Sequence, residues 1–201
     1  MKIVSQSIEL LTITPNAEQL IELAGRTCYK SEDKITDTSA ATFIAMIIKR
    51  GHHSVIEHAS ATFRIICDRG VSHEIVRHRL ASYSQESTRY CDYGCGHVIF
   101  IEPPSLDVSK RTEWLAAMAV SEKHYKSLRQ NGVQPQIARS VLPNSLKTEI
   151  VMTANFREWR HFITLRCAKA AHPQMRQVAD MIRVKLIEKA PNIFGDLGSI
   201  G

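Results

Sequence analysis

The chain has 201 residues, which suits one domain and leaves little room for two. With 44% hydrophobic and 23% charged residues it is not a disordered chain, and no apolar run approaches the roughly 20 residues that span a bilayer. The net charge of +6 suits an anionic partner, whether nucleic acid, a membrane surface or a phosphorylated small molecule.

Residues 2–12 alternate apolar and polar, which predicts a strand and lacks the continuous apolar core of a signal peptide. The chain is therefore expected in the cytoplasm, away from membranes. Thr14 is the expected cap of a helix with Pro15 at its first position, running to about Ala24. A second helix starts after Asp37 or Thr38, includes Phe43, Met46, Ile47 and Arg50, and stops before Gly51. Residues 59–67 alternate as a half-buried strand with Phe63 and Ile65 on one face. Ser72 is the expected cap of a short helix carrying Glu74, Arg77 and His78. Residues 97–101 read as a short strand stopped by Pro103 and Pro104. Residues 110–130 have the length and period of a long helix, ended by Asn131 and Gly132. Pro135 starts another helix through Arg139 and Val141, and residues 148–154 form a further strand. Asn155, with Glu158 three residues on, resembles a capping box that opens a helix containing Trp159 and Phe162. Residues 173–190 are the closing helix, terminated by Pro191. Strands separated by helices of mixed spacing predict an α+β fold over residues 1–201. Its expected form is a single domain with a mostly antiparallel central sheet flanked by helices.

Cys28, Cys67, Cys91, Cys95 and Cys167 are odd in number and lack a CxxC pair, which favours reduced thiols over a disulfide framework. Cys91 and Cys95 with His97 have poor zinc spacing and no evident fourth ligand. The stretch from His73 to His78 has one residue more than HExxH. Five helical residues turn about 500°, so those two histidines diverge, and no metal is expected.

The polar run at residues 77–89 carries the chemistry. It holds Arg77, Arg79, Arg89, His78, Ser82, Ser84, Ser87, Thr88, Gln85 and Glu86, with Leu80 and Ala81 almost its only apolar interruptions. Such a run needs many hydrogen-bond partners if it is desolvated. Its arginines have the fork geometry that binds phosphate, and Gln85 offers both donor and acceptor to a pyrimidine edge. Arg77-His78-Arg79, seven residues and then Ser87 match the RHR-x7-S signature, so the chain resembles the flavin-dependent thymidylate synthases. Ser82, Ser87 and Arg89 follow the longer family pattern. Ser84 stands where the family often has Asn, and Gln85 where it commonly has Glu; both can hydrogen-bond, but Gln85 supplies no carboxylate charge.

The resemblance extends over most of the chain. Residues 51–58 look like the family's GHxSxxEH segment, which approaches flavin and folate; whether His52 or His53 lies at the flavin stays open. The segment 135–143, with Arg139, resembles one that gives an arginine to the nucleotide. Asn155, Phe156, Arg157, His161 and Arg166 resemble a late array whose first part holds flavin and whose last arginine activates the pyrimidine. The resemblance implies reductive methylation of dUMP to dTMP, with methylenetetrahydrofolate supplying the carbon and FAD relaying hydride from NADPH. It places Glu74, Ile75, Val76, Arg77, Gln85, Glu86, Ser87, Thr88, Arg89, Arg139 and Arg166 on dUMP. It places His52, Ser54, Arg77, His78, Arg79, Gln85, Asn155, Phe156, Arg157 and His161 on FAD. It also implies a homotetramer with active sites between subunits.

Uracil C5 is a weak nucleophile, and weakening the N3 proton pushes electron density towards it. An arginine beside N3 favours the ionised form, the task expected of Arg166. Ser87 has no accompanying oxyanion-hole signature or G-x-S-x-G elbow and is expected to bind nucleotide, with no enzyme nucleophile on the pyrimidine. Two rivals are a nucleic-acid module and a hydrolase using Ser87 and His78. The segment 157–189 carries eight Lys or Arg against three acids, which motivates the first. Aromatics are only 6% of the chain and its arginines are bunched in the motif, so no nucleic-acid partner is expected.

Overall fold

The computed structural model describes residues 1–104 and 106–199, so Ser105, Ile200 and Gly201 of the expected 1–201 domain lie outside the described residues. Strands β1 (Lys2–Val4) and β2 (Ser7–Ile13) come first, followed by helices α1 (Ala17–Thr27) and α2 (Ser39–Lys49). Strand β3 (Ser60–Asp68) runs straight into α3 (Arg69–Ile75), and β4 (Ala81–Gln85) and β5 (Ile99–Ile101) follow. Helices α4 (Val108–Gln130) and α5 (Pro135–Ala138) precede β6 (Lys147–Asn155). Helices α6 (Phe156–Arg166), α7 (Pro173–Lys189) and α8 (Pro191–Phe194) close the fold. Strands β2, β3, β6 and β4 form, in that order, a four-stranded antiparallel sheet, while β1 and β5 pair in parallel with Ile3 opposite Phe100. The expected α+β class with a mostly antiparallel sheet is what the structure has.

Alternation and capping explain the elements that were foreseen. In β3, Ala61, Phe63, Ile65 and Cys67 are buried at every second position, as a half-buried strand requires. Gly51 (φ 71°) and Gly132 (φ 80°) follow α2 and α4 in the left-handed region that a side chain would strain. Asn155 Oδ1 accepts the Glu158 N–H at 2.9 Å, so the expected cap of α6 is present.

Other boundaries differ from the sequence expectation for physical reasons. The run 2–12 breaks into two strands because β1 pairs with β5 and β2 with β3. Thr14 does not cap α1: its hydroxyl accepts the Ser60 N–H at 2.9 Å and donates to the Ser60 carbonyl at 3.3 Å. Asn16 (φ 49°) precedes the helix instead, and the helix continues to Thr27. Ser72 is not a cap either. Asp68 Oδ1 accepts the Val71 N–H at 2.7 Å, and buried Ser72 donates to the Arg69 carbonyl from within α3. The helix ends at Ile75, leaving Arg77 and His78 beyond it. Residues 81–85 form a strand that went unforeseen because its alternation is between small or polar residues. Helix α4 opens two residues early, where Asp107 accepts the Lys110 N–H, and the helix from Pro135 tightens to a 3₁₀ turn over Arg139–Val141. Pro191 both ends α7 and opens α8.

The described residues gather into two compact units. The first comprises Met1–Ser7, Ile65–Arg77 and Ser84–Ile150, and the second Ile8–Arg64, His78–Tyr83 and Val151 onward. The first unit's core contains Val98, Phe100, Met118, Tyr125, Ala138 and Leu146, with Trp114 partly buried against it. In the second, Trp159 meets Phe63 and Phe162 edge-on at 5.1 and 5.4 Å and donates its indole N–H to the Ala61 carbonyl at 3.0 Å. Edge-to-face packing with a satisfied indole makes Trp159 a core residue. Cys28, Cys67, Cys91, Cys95 and Cys167 are all free thiols, and burial pushes the Cys67 thiol up to about 12. No described helix is long and apolar enough to cross a membrane.

Candidate active site

In the second unit, the histidine of the polar motif is tied to the late helix. His78 Nδ1 lies 2.8 Å from Glu158 Oε1, and Arg166 Nε donates to His78 Nε2 at 3.1 Å. Glu158, Phe162 and Arg166 follow one another at four-residue steps along α6, so they share a face of the helix. The His78 ring packs on Phe162 at 4.8 Å and lies 5.5 Å from His161. The Tyr83 hydroxyl donates to the His78 carbonyl at 2.6 Å. Burial and the Arg166 charge hold the His78 pKa below the ordinary histidine value, against the opposing pull of Glu158. Burial, with Glu158, pushes the Tyr83 phenol up to about 12.

Beside this cluster lies a cavity of about 640 Å³, lined by His53, Leu80, Asn155, Arg157, Glu158 and His161 among others. Its size is in the range of cofactor pockets, and its arginines and the start of an eleven-residue helix suit an anion. The residues therefore fit the anionic part of a flavin nucleotide, with Arg157 as the guanidinium that could meet it, since the Arg160 guanidinium is bonded to Asp196 and to the Ile193 carbonyl. Arg157 now pairs with Glu57 at 2.6 Å, a half-exposed pair that an anion can displace at small cost. A second cavity in the same unit, of about 920 Å³, is lined by Arg26, Tyr29, Phe43, Arg50, His52 and Ser54 with others. His53 thus shares a cavity with Asn155, Arg157 and His161, whereas His52 and Ser54 face the other one.

Among the described residues, His78, Glu158 and His161 form one group whose potential metal-ligand atoms lie within 4.8 Å of one another. Both His78 nitrogens are engaged in hydrogen bonds, and the Arg166 cation occupies one of them. The geometry is that of a hydrogen-bonded relay.

In the first unit, the remaining part of the polar motif is satisfied by its own neighbours. Gln85 Nε2 donates to Ser72 Oγ at 3.0 Å and to Thr148 Oγ1 at 3.1 Å, which directs its amide oxygen away from both hydroxyls. Glu86 accepts from Tyr93 at 2.7 Å and from Lys147 at 2.9 Å, so both carboxylate oxygens have protein partners. Burial, aided by Glu86, raises the Tyr93 phenol well above its ordinary value. Arg139 donates to buried Thr88 at 2.8 Å, and the Arg89 guanidinium lies over the Tyr90 ring at 5.6 Å. A cavity of about 290 Å³ is lined by Arg69, His73, Thr88, Arg139 and Asn144 with others. Two guanidiniums and an imidazole around a small cavity suit a phosphate.

The residues expected on dUMP fall in the first unit except for Arg166, and those expected on FAD fall in the second except for Arg77 and Gln85. Two side chains are misplaced by the sequence reading. Ile75 is fully buried in the core, and Phe156 is fully buried against Phe194 with its N–H bonded to the Ala59 carbonyl. Neither residue lines the cavities described above. Residues 155–166 supplied the cavity-lining Arg160 and Thr164, which sequence reasoning did not single out as ligands, and residues 51–58 supplied His53, one of the two histidines left open for the flavin. Arg69 carried no signal, and His73 entered only through the rejected metal motif. Glu158 was visible as a helix-start residue, but its position four and eight residues before Phe162 and Arg166 was the informative spacing.

Comparison with known proteins places this arrangement. The family model described as thymidylate synthase complementing protein matches residues 9–192. The flavin-dependent thymidylate synthase of Geobacter sulfurreducens is 40% identical over 202 residues, covering 95% of this chain and 86% of that protein. The enzyme of the same description from Corynebacterium efficiens is 39% identical, covering 90% and 79%. The crystal structure of a UMP/dUMP methylase, PolB from Streptomyces cacaoi bound with 5-Br dUMP, superposes with a TM-score of 0.85 at 24% identity, covering 100% of this chain and 98% of that one. That likeness is one of fold. The chain belongs to the thymidylate synthase complementing protein family, a family of enzymes.

Proposed function

We propose that the chain is a flavin-dependent thymidylate synthase that converts dUMP to dTMP by reductive methylation, with methylenetetrahydrofolate as carbon donor and NADPH as reductant. The observation that carries the reading is the bond from Arg166 to His78, which joins the RHR motif to the arginine expected to activate the pyrimidine, 88 residues away. Family membership and the flavin-dependent naming of the relatives support it independently.

On this reading Asn155, Arg157, His161 and the His78–Arg79 segment hold FAD, joined by Arg77, Gln85, His52 and Ser54. Bound FAD would supply the relay of hydride from NADPH. Thr88, Arg139, Ser87 and Arg89 hold dUMP, with Glu74, Val76, Arg77, Gln85 and Glu86 around it and Ile75 contributing backbone alone, while Phe156 contributes backbone alone on the FAD side. Glu86 would act through its carbonyl, since its carboxylate is bonded to Tyr93 and Lys147 and its N–H to the Glu149 carbonyl. Arg166 stabilises negative charge developing on the pyrimidine as N3 ionises, and no side chain attacks the ring. A guanidinium is suited to this because it stays charged at every working pH. Residues 1–201 would serve as one catalytic domain, acting as a homotetramer in the cytoplasm with sites between subunits.

The test is direct. Purified protein given FAD should turn yellow, bleach with NADPH, and form dTMP from dUMP and methylenetetrahydrofolate. Arg166→Ala should keep the colour and lose most of the dTMP formation. Protein that takes up no FAD would defeat the synthase reading, and near-normal turnover by Arg166→Ala would remove that residue's role.

A further inference from the structure

The two hydrogen bonds of His78 fix its tautomer. Arg166 Nε carries a hydrogen and can only donate, so His78 Nε2, 3.1 Å away, accepts and bears no proton. The ring proton of neutral His78 therefore sits on Nδ1 and is donated to Glu158 Oε1 at 2.8 Å. The donors run in one direction, from Arg166 through His78 to the Glu158 carboxylate.

The side chains of His78 and Glu158 are only 2% and 7% exposed. A carboxylate so buried is costly unless it is hydrogen-bonded and close to a positive charge, and a core needing only volume would hold an apolar residue here. Glu158 and Arg166 are eight residues apart on α6, about 12 Å along the helix axis. The His78 imidazole, resting on Phe162 between them, fills that gap. The other titratable groups facing it are His161 from α6 and Tyr83 from β4, so Glu158 is the negative charge of the cluster.

We infer that Glu158 and His78 are positioning residues: Glu158 holds His78 in its Nδ1–H form, and His78 Nε2 grips Arg166 by Nε and sets the direction of its guanidinium. The inference rests on the proposed role of Arg166 in activating the pyrimidine. A protonated His78 would turn an Nε2–H against Arg166 Nε–H and break the grip. Glutamine at position 158 would keep the shape of the side chain. Its neutral amide oxygen accepts the Nδ1–H without the charge assistance of a carboxylate, so the tautomer and the ring orientation are held less firmly and the grip on Arg166 loosens.

Two measurements test this. In the wild-type protein with ¹⁵N-labelled histidine, the His78 signals, assigned by their loss in His78→Gln, should show a protonated Nδ1 and a bare Nε2 near neutral pH. A bare Nδ1, or an imidazolium, would overturn the proposal without recourse to any variant of position 158. In the flavin-loaded enzyme, Glu158→Gln should lower kcat for dTMP by about 10- to 100-fold, with the KM for dUMP little changed. In an Arg166→Ala background the same substitution should cause no further loss, because both act on one group. Additive losses would make Glu158 merely structural and sink the relay. If wild-type protein formed no dTMP, the synthase proposal would fail, while the relay would still stand or fall on the ring signals.

Discussion

Asn155 is assigned two roles that substitutions can separate. Its Oδ1 caps α6 through the Glu158 N–H at 2.9 Å, and its side chain lines the cavity assigned to flavin. Asn155→Ala deletes the cap and should cost about 1 kcal/mol, since the neighbouring Phe156 N–H keeps its own partner in Ala59. For a chain of this length that lowers Tm by about 2–4 °C. Asn155→Asp keeps an acceptor in place and adds a negative charge at a helix N-terminus, worth about 0.3–1 kcal/mol in the favourable direction. The same charge would repel a pyrophosphate. At about 5 Å and an effective dielectric near 20, two unit charges oppose each other by about 3 kcal/mol, which weakens FAD binding by more than about 100-fold. Thermal melts of the flavin-free proteins and fluorescence titration with FAD read the two effects apart. The Asp variant should melt at or above wild type and bind flavin poorly. An Asp variant melting as low as the Ala variant refutes the capping argument, and one binding FAD at wild-type affinity refutes the ligand role.

Gln85→Glu should destabilise the protein by about 1–3 kcal/mol in chemical denaturation. The amide donates to two hydroxyls, of which Ser72 already donates to the Arg69 carbonyl, and a carboxylate in that place has no proton to give. Unchanged stability would mean that the network rearranges freely. The hydrogen bond from Arg129 holds the Asp92 carboxyl at about 2, below its ordinary 3.8. Because the folded value is the lower one, the stabilisation is present above about pH 4 and is lost as the pH falls towards 2. Asp92→Asn should flatten that part of the pH–stability curve, and an unaltered curve would show that Asp92 contributes nothing to it. Trp159→Phe leaves the Ala61 carbonyl without its indole donor and opens space beside Phe63 and Phe162. It should cost about 2–4 kcal/mol, and a loss below about 1 kcal/mol would show that the core closes over the gap.

Strong local signals carried most of the fold. The alternation of β3 and β6, the Asn155 cap and the glycines after α2 and α4 depend on residues close in sequence, and all were legible. What failed depended on distant partners. Thr14 has every attribute of a cap, but Ser60 claims its hydroxyl from 46 residues away. Ser72 precedes a helical pattern, but Asp68 at the end of β3 reaches the first turn before it. Strand β4 was hidden because apolar alternation was the signal sought, whereas its inward positions are Ala81, Tyr83 and Gln85. The candidate site followed the same rule. The motif residues were legible as chemistry, yet Ile75 and Phe156 were counted with their neighbours although the helix turn carries both side chains into the core. Glu158 was read for its bond to the chain next to it, while its carboxylate partner is His78, 80 residues away.

The polar motif poses a physical problem that its division resolves. Thirteen consecutive residues with so many donors and acceptors cannot all find partners in one small core. The two units split the run at residues 77/78 and 83/84. In the second unit His78 is satisfied by Glu158 and Arg166, and its carbonyl by Tyr83. In the first, Gln85 is satisfied by Ser72 and Thr148, Glu86 by Lys147 and Tyr93, and Thr88 by Arg139. The side-chain partners thus come from different sections of sequence: those of His78 from α6, those of the remainder from α3, β6, Tyr93 and the 3₁₀ turn after α5. On the proposed assignment, neighbouring residues of one motif serve different ligands, each oriented by its own set of hydrogen-bond partners. The same division falls within RHR-x7-S. The arginine at 77 and the serine at 87 belong to the unit that holds the residues assigned to the nucleotide, whereas the histidine and arginine between them belong to the unit assigned to the flavin.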